Sequence, residues 1–166
     1  RYYLNSLTSV SDAWLSESLL KSHLAGIALY AGVPEGTDLD EAAPWKDIIS
    51  DEDEITLGFD GSLSDDATAL VGCRVRDGLL FLIKLEQKPE GPEAADWQVD
   101  VEAFDRKVRW MLDNYNVVGF FADVHGWRDL IIGWETDYSY LALVGQRNNG
   151  DPIMFHTNNC ESDMKQ

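Results

Sequence analysis

Cysteine is scarce. Two of the 166 residues, Cys73 and Cys160, carry a thiol, and two form no disulfide framework. Cys73 falls inside a predicted strand and reads as a buried apolar residue. A reducing, cytoplasmic setting is expected. Long apolar runs are missing: none reaches the length of a membrane span, and no signal-peptide pattern opens the chain. A GxxxxGK phosphate loop, internal repeats and low-complexity tracts are absent too. Ser62 and Ser64 have no His–Asp arrangement to make either a nucleophile. His23 and His156 have no partner at metal-ligand spacing. Positive charge is also short, with 13 Lys and Arg against 30 Asp and Glu, a net charge of −17. That argues against broad adhesion to nucleic acid or to anionic membrane, though not against a local basic face. Most of the acids read as solvated surface.

What is present suits one folded core with a short extension: 45% apolar and 26% charged residues. The start at Arg1 without Met and the end at Gln166 in mid-pattern suggest a piece of a longer chain. In "RYYLNSLTSVSDAWLSESLLKSHLAG", Ser16 is placed to cap a short helix carrying Leu19, Leu20 and Leu24, with Gly26 as its stop. From Gly32 to Glu54 the chain is rich in Pro, Gly and acid. It reads as a surface-wrapping linker with Trp45 and Ile48 as docking points. Residues 1–54 are thus expected to be an extension and 55–166 a domain.

Ile55, Leu57 and Phe59 alternate with Thr56, Gly58 and Asp60, the period of a strand. Ala67 to Arg76 reads as a second strand, Asp77-Gly78 as a two-residue hairpin turn, and Leu79 to Leu85 as a third strand. Val101, Phe104, Val108, Met111, Leu112 and Tyr115 recur at helical spacing. "NVVGFFAD" is apolar up to Asp123, as in a central strand covered on both faces. Trp127, Leu130, Ile131, Trp134 and Tyr138 mark a second helix, and "YLALVG" a fifth strand. The order βββαβαβ predicts an α/β mixed sheet, three antiparallel strands and then two crossover helices, with helices on both faces. That is the order of the ribonuclease-H-like fold.

Two acids stand out by position. Asp60 ends the first strand and Asp123 the buried fourth. In a fold of this order those strands are central neighbours, so the carboxylates converge and repel unless a cation sits between them. Hard oxygen donors suit Mg²⁺ or Mn²⁺. Two ions about 3.5–4 Å apart activate water and stabilise the leaving oxygen of a phosphodiester. The plainer readings are turn chemistry for Asp60 in "DGS" and a helix N-cap for Asp123 before "VHGW". Asp66, after Asp65, is a candidate extra metal contact or an exposed turn acid. His125 is a candidate ligand or phosphate contact, or a residue of a helix-start turn. Trp97, Trp110, Trp127 and Trp134 read as core or rim packing. Arg74, Arg76, Lys84 and Lys88 on the hairpin, with Arg106, Lys107 and Arg109 on the first long helix, offer a phosphate-contact strip or a solvated mixed-charge surface.

"RYYLNSLTSVSDAWLS" resembles the segment that leaves the ATPase domain in tailed-bacteriophage terminase large subunits. "LGFDGSLSDDATALVG" looks like the opening of their C-terminal nuclease domain. "VVGFFADVHGWRDLIIGW" is similar to its fourth strand and following helix, and "HTNNCESDMKQ" to a stretch leading into its final part. The resemblance implies a ribonuclease-H-like, Mg²⁺- or Mn²⁺-dependent endonuclease that cuts concatemeric double-stranded viral DNA during packaging in the host cytoplasm. Asp60 matches the first catalytic acid and Asp123 the second. The family's third acid would lie beyond Gln166, which leaves the domain incomplete at its C-terminus, and Asp151, Glu161 and Asp163 are no substitutes. The implied partners are viral DNA, the portal, the small terminase subunit and the ATPase domain of the same full-length chain; no membrane is implied. Two other readings stay open. One is a nucleotide-binding piece of an actin or sugar-kinase type fold, where an Asp-Gly-Ser hairpin grips phosphate. The other is a non-catalytic docking module of a packaging complex.

Overall fold

Strand β1, Ile55–Asp60, buries Ile55, Leu57 and Phe59 and leaves Gly58 and Asp60 exposed, so its period of two separates a covered face from an open one. The computed structural model describes residues 43–64, 67–141, 143 and 152–155. β2 (Ala67–Arg74) and β3 (Leu79–Gln87) continue the antiparallel meander. Helix α1 (Val101–Asn114) then returns the chain so that β4 (Val117–Asp123) pairs parallel to β1. Helix α2 (Arg128–Asp137) follows, and β5 (Met154–Phe155) pairs parallel to β4. The sheet order is β3-β2-β1-β4-β5, which makes β1 and β4 central neighbours as expected. The molecule is thus an α/β protein built on a five-stranded mixed sheet.

The helices form where the sequence pattern puts them. Asp100 caps α1, its carboxylate accepting the Ala103 N–H at 2.9 Å. The buried stripe Phe104, Val108, Met111 and Leu112 then lies on the sheet. α2 buries Ile131 and Trp134. Trp134 stacks on Phe120 of β4 and meets Phe59 of β1 edge-on, while Phe104 of α1 packs on the same Phe59. The Trp134 indole N–H also donates to Asp105 of α1 at 2.8 Å. Both helices therefore cover one face. Helices on both faces are not found among the described residues: α1 and α2 pack on the side of the sheet that carries Leu57, Phe59, Phe120 and Ala122.

Three further expectations need correction. The hairpin turn after β2 is Val75–Gly78 rather than Asp77-Gly78 alone. Arg74 ends the strand because its guanidinium turns onto Asp77 through contacts of 2.7 and 3.0 Å. Gly78, at φ 69°, returns its N–H to the Arg74 carbonyl. In "YLALVG", Tyr140 and Leu141 lie in the turn after α2; the place beside β4 goes to Met154–Phe155, which pair with Ala122 and Asp123. Residues 142, 144 and 145 lie outside the described part. Of the two docking points, Trp45 is buried against Phe81, but Ile48 is exposed and Ile49 takes the buried place. The expected helix after Ser16, His23, Asp65, Asp66, Asp151, His156, Cys160, Glu161 and Asp163 also lie outside the described residues. Cys73 is free and half-buried; burial pushes its thiol pKa up.

Arg74 joins three segments. It donates to the Ile48 carbonyl, to Asp53 and to Asp77, with 7% of the residue exposed. A backbone hydrogen bond from Ser50 holds the Asp53 carboxyl below its ordinary value of 3.8, and the Arg74 hydrogen bond does the same for Asp77. A carboxyl depressed in the folded state stabilises the fold above its unfolded pKa, and that contribution is lost as pH falls through the folded value. Thermal melts are therefore expected to show Tm falling below about pH 4. Arg74→Met should lower Tm at neutral pH and flatten that acid limb; an unchanged limb would count against the cluster.

Candidate functional site

The register of the parallel pair decides what the two acids can do. Phe59 stands opposite Ala122, and each acid follows by one residue, so Asp60 and Asp123 end adjacent strands at the same level. Parallel neighbours lie about 4.8 Å apart. Both acids also belong to the face away from the helices, since Phe59 and Ala122 are buried in the helix layer. The sheet thus brings together the two acids that are far apart in sequence. Asp60 is exposed and Asp123 half-buried.

Local structure fixes both ends. After Asp60, the loop is pinned by buried Thr68: its hydroxyl donates to the Ser62 carbonyl at 2.7 Å and accepts the Ser62 N–H at 3.1 Å. After Asp123, the carboxylate accepts the His125 N–H at 3.2 Å, and Gly126 turns the chain at φ 78°. Asp123 is therefore no helix N-cap. Trp127 holds that position, with no side-chain cap, and Asp123 organises the turn before it. His125 is exposed in that turn, with its backbone rather than its ring on Asp123.

Trp127 was expected only to pack, and it does more. It follows the Asp123 turn yet lies beneath the Asp60 loop, with 2% exposure. Its ring meets Phe59 at 4.9 Å and Phe104 at 6.0 Å. A methyl on Gly61 would run into the Trp127 indole and into Phe59 Cζ at 2.9 Å. One indole thus packs beneath the loop after Asp60 and begins the helix after the Asp123 turn. The sequence signal was the glycine directly after Asp60, which we read as turn chemistry alone. Gly61→Ala is expected to destabilise by about 1–3 kcal/mol through overpacking. Urea unfolding checks it; an unchanged midpoint would mean the loop is free to lift.

Arg74, Arg76, Lys84, Arg106 and Arg109 pair with acids other than Asp60 and Asp123. Arg109 pairs with Asp105 at 2.8 Å and with Asp137 at 2.7 Å, bridging α1 and α2. Arg74 and Arg76 face Asp53, and Lys84 meets Glu86 at 3.1 Å. Trp110, with Lys46 and Lys107 over its ring, lies on α1, on the helix side of the sheet. Among the described residues, no group of three His, Cys, Asp or Glu is placed to hold a metal. The donors at hand are two carboxylates on adjacent strand ends. Such a set fits Mg²⁺, which keeps several waters and takes one or two protein carboxylates.

A mixed α/β sheet with two carboxylates at the ends of its central parallel strands defines the class of protein. Its relatives narrow this further. The chain is 37% identical over 155 residues to Gene 13 protein of Mycobacterium phage L5 and 36% identical to Gene 13 protein of Mycobacterium phage D29. Each match covers 93% of this chain and 24% of the relative, so the chain spans about a quarter of the length of the curated relatives it matches. The likeness is to bacteriophage proteins. No protein-family model matches the chain, and no solved structure matches it. Among the described residues, no helix is long and apolar enough to cross a membrane.

Proposed function

We propose that this chain is the ribonuclease-H-like nuclease portion of a phage terminase large subunit, hydrolysing phosphodiester bonds of double-stranded viral DNA with Mg²⁺ or Mn²⁺. The observation that carries this reading is the side-by-side placement of Asp60 and Asp123 at the ends of parallel β1 and β4. The phage relatives support it, as does the motif order from "LGFDGS" to "FFADVHGW". Asp60 would hold metal, since its carboxylate accepts no hydrogen bond from a described residue. Asp123 would offer mainly the oxygen that its turn does not use. The bound ions would supply activation of the attacking water and stabilisation of the leaving oxygen. The side chains' part is to place the ions and hold negative charge where cations bind.

A chain of net charge −17 repels DNA within about a Debye length of its surface, so capture from solution falls to other parts of the packaging machine. The ATPase motor, the portal and the small subunit are the proposed partners, with the host cytoplasm as the setting. Cleavage should show little sequence preference, because the acids address the backbone and not base edges. The test is conversion of supercoiled plasmid to nicked and linear forms, with Mn²⁺ or with EDTA. Cutting that persists in EDTA, or none at any Mn²⁺ concentration for the full-length protein, would end this reading. Binding of ATP by the chain would favour the actin or sugar-kinase type alternative instead.

A further inference from the structure

β5 is two residues long, too short to hold its place by ladder bonds alone. Its anchor comes from α2. One carboxylate oxygen of half-buried Glu135 accepts the N–H of Ile153 at 2.9 Å and that of Met154 at 3.0 Å. Both residues are buried, so removing that oxygen takes from two interior donors the partner they have. Ile153 in turn offers its carbonyl to the Ala122 N–H at 3.0 Å. The ladder between β1 and β4 ends at Phe59 and Ala122. One step further, the strand partner of Asp123 is Phe155 of β5. The contacts close a ring: Asp123, its turn, α2, Glu135, β5 and Asp123 again.

Resting on the nuclease reading above, we propose that Glu135 is the positioning residue for Asp123: from α2 it holds β5 against β4 and so fixes the ladder step that carries this acid. Glu135 acts through backbone N–H groups rather than through an ion. A charged acceptor makes hydrogen bonds roughly twice as strong as a neutral one, which suits a clamp on so short a strand. With β5 loose, the end of β4 would lose the pairing on its outer edge just where Asp123 stands. A site left about 1 Å too loose commonly fails in function although its groups are all present. The side chain that orients a metal ligand here would thus come from the helix that follows that ligand in the chain.

The test joins amide hydrogen exchange of the metal-free chain, followed by NMR, with calorimetric Mg²⁺ titration. The parent is compared with Glu135→Ala, Glu135→Gln and Arg74→Met. In Glu135→Ala the Ala122 amide should exchange about 10-fold faster or more, while amides of the β1–β2 ladder keep their protection. Mg²⁺ affinity should fall about 10- to 100-fold. Glu135→Gln keeps an oxygen for the two N–H groups, so both losses should be smaller. Arg74 stands opposite Ile55, at the far end of β1 from Asp60. Arg74→Met should therefore keep parent-like Mg²⁺ affinity, which separates positioning from a general loss of stability. Unchanged exchange at Ala122, parent-like Mg²⁺ affinity in Glu135→Ala, or an equal loss of affinity in Arg74→Met would each overturn the proposal. A failed nuclease reading shows separately, as a parent that binds no Mg²⁺ although exchange at Ala122 still depends on Glu135.

Discussion

Replacing Asp60 by asparagine is expected to abolish Mn²⁺-dependent plasmid cleavage, with a loss well beyond a hundredfold. Removing a group that merely orients a metal ligand costs about 10- to 100-fold in affinity or activity, so a direct ligand should exceed that. The fold should hardly notice. Asp60 is exposed at a strand end and its carboxylate accepts no hydrogen bond from a described residue, so metal-free Tm should stay within about 3 °C of the parent. Asp123 is different, since its carboxylate also accepts the His125 N–H. Asp123→Asn keeps an oxygen for that turn and loses the charge, whereas Asp123→Ala loses both. Cleavage should vanish in both variants, while stability should fall more in Asp123→Ala. Calorimetric Mg²⁺ titration gives an independent readout, with binding weakened in all three. Parent-like cutting by Asp60→Asn and Asp123→Asn would remove these acids from the chemistry.

Trp127→Ala should produce the largest loss of stability, about 3–5 kcal/mol, as for other large aromatic side chains deleted from a core. The indole is buried among Phe59, Phe104 and Gly61, and little can collapse into the space it leaves. Among the described residues its Nε1 has no hydrogen-bond partner, so Trp127→Phe discards an unpaired buried donor along with part of the ring and should cost much less. Because the ring supports Gly61 next to Asp60 and follows the Asp123 turn, Mg²⁺ affinity should fall with it even in preparations that remain folded. Urea unfolding and calorimetry on the two variants separate packing from positioning. Trp127→Ala with parent-like Mg²⁺ affinity would show that the acids find their places without it.

Period and punctuation made most of the strands and helices legible. Ile55, Leu57 and Phe59 alternate because the fold covers one side of β1, and Phe104, Val108, Met111 and Leu112 repeat because α1 lies on it. The hairpin turn was misjudged because Arg74 breaks the ladder for its tertiary partners Asp53 and Ile48, which no local pattern reveals. The strand expected in "YLALVG" has the right residues for a sheet, but the edge of β4 was taken by Met154–Phe155. "NVVGFFAD" read as covered on both faces, yet Phe121 is 36% exposed; an apolar run cannot say which of its sides another element reaches.

By itself the sequence determined the first four strands, the two helices, the acidic surface and the positions of Asp60 and Asp123 at strand ends, because these follow from local periodicity and composition. The tertiary structure alone decided that the acids share a level and a face, since pairing between strands as distant in sequence as Phe59 and Ala122 fixes register. It alone showed Trp127 beneath Gly61 and Glu135 clamping β5, because packing depends on what the folded chain brings to a point in space.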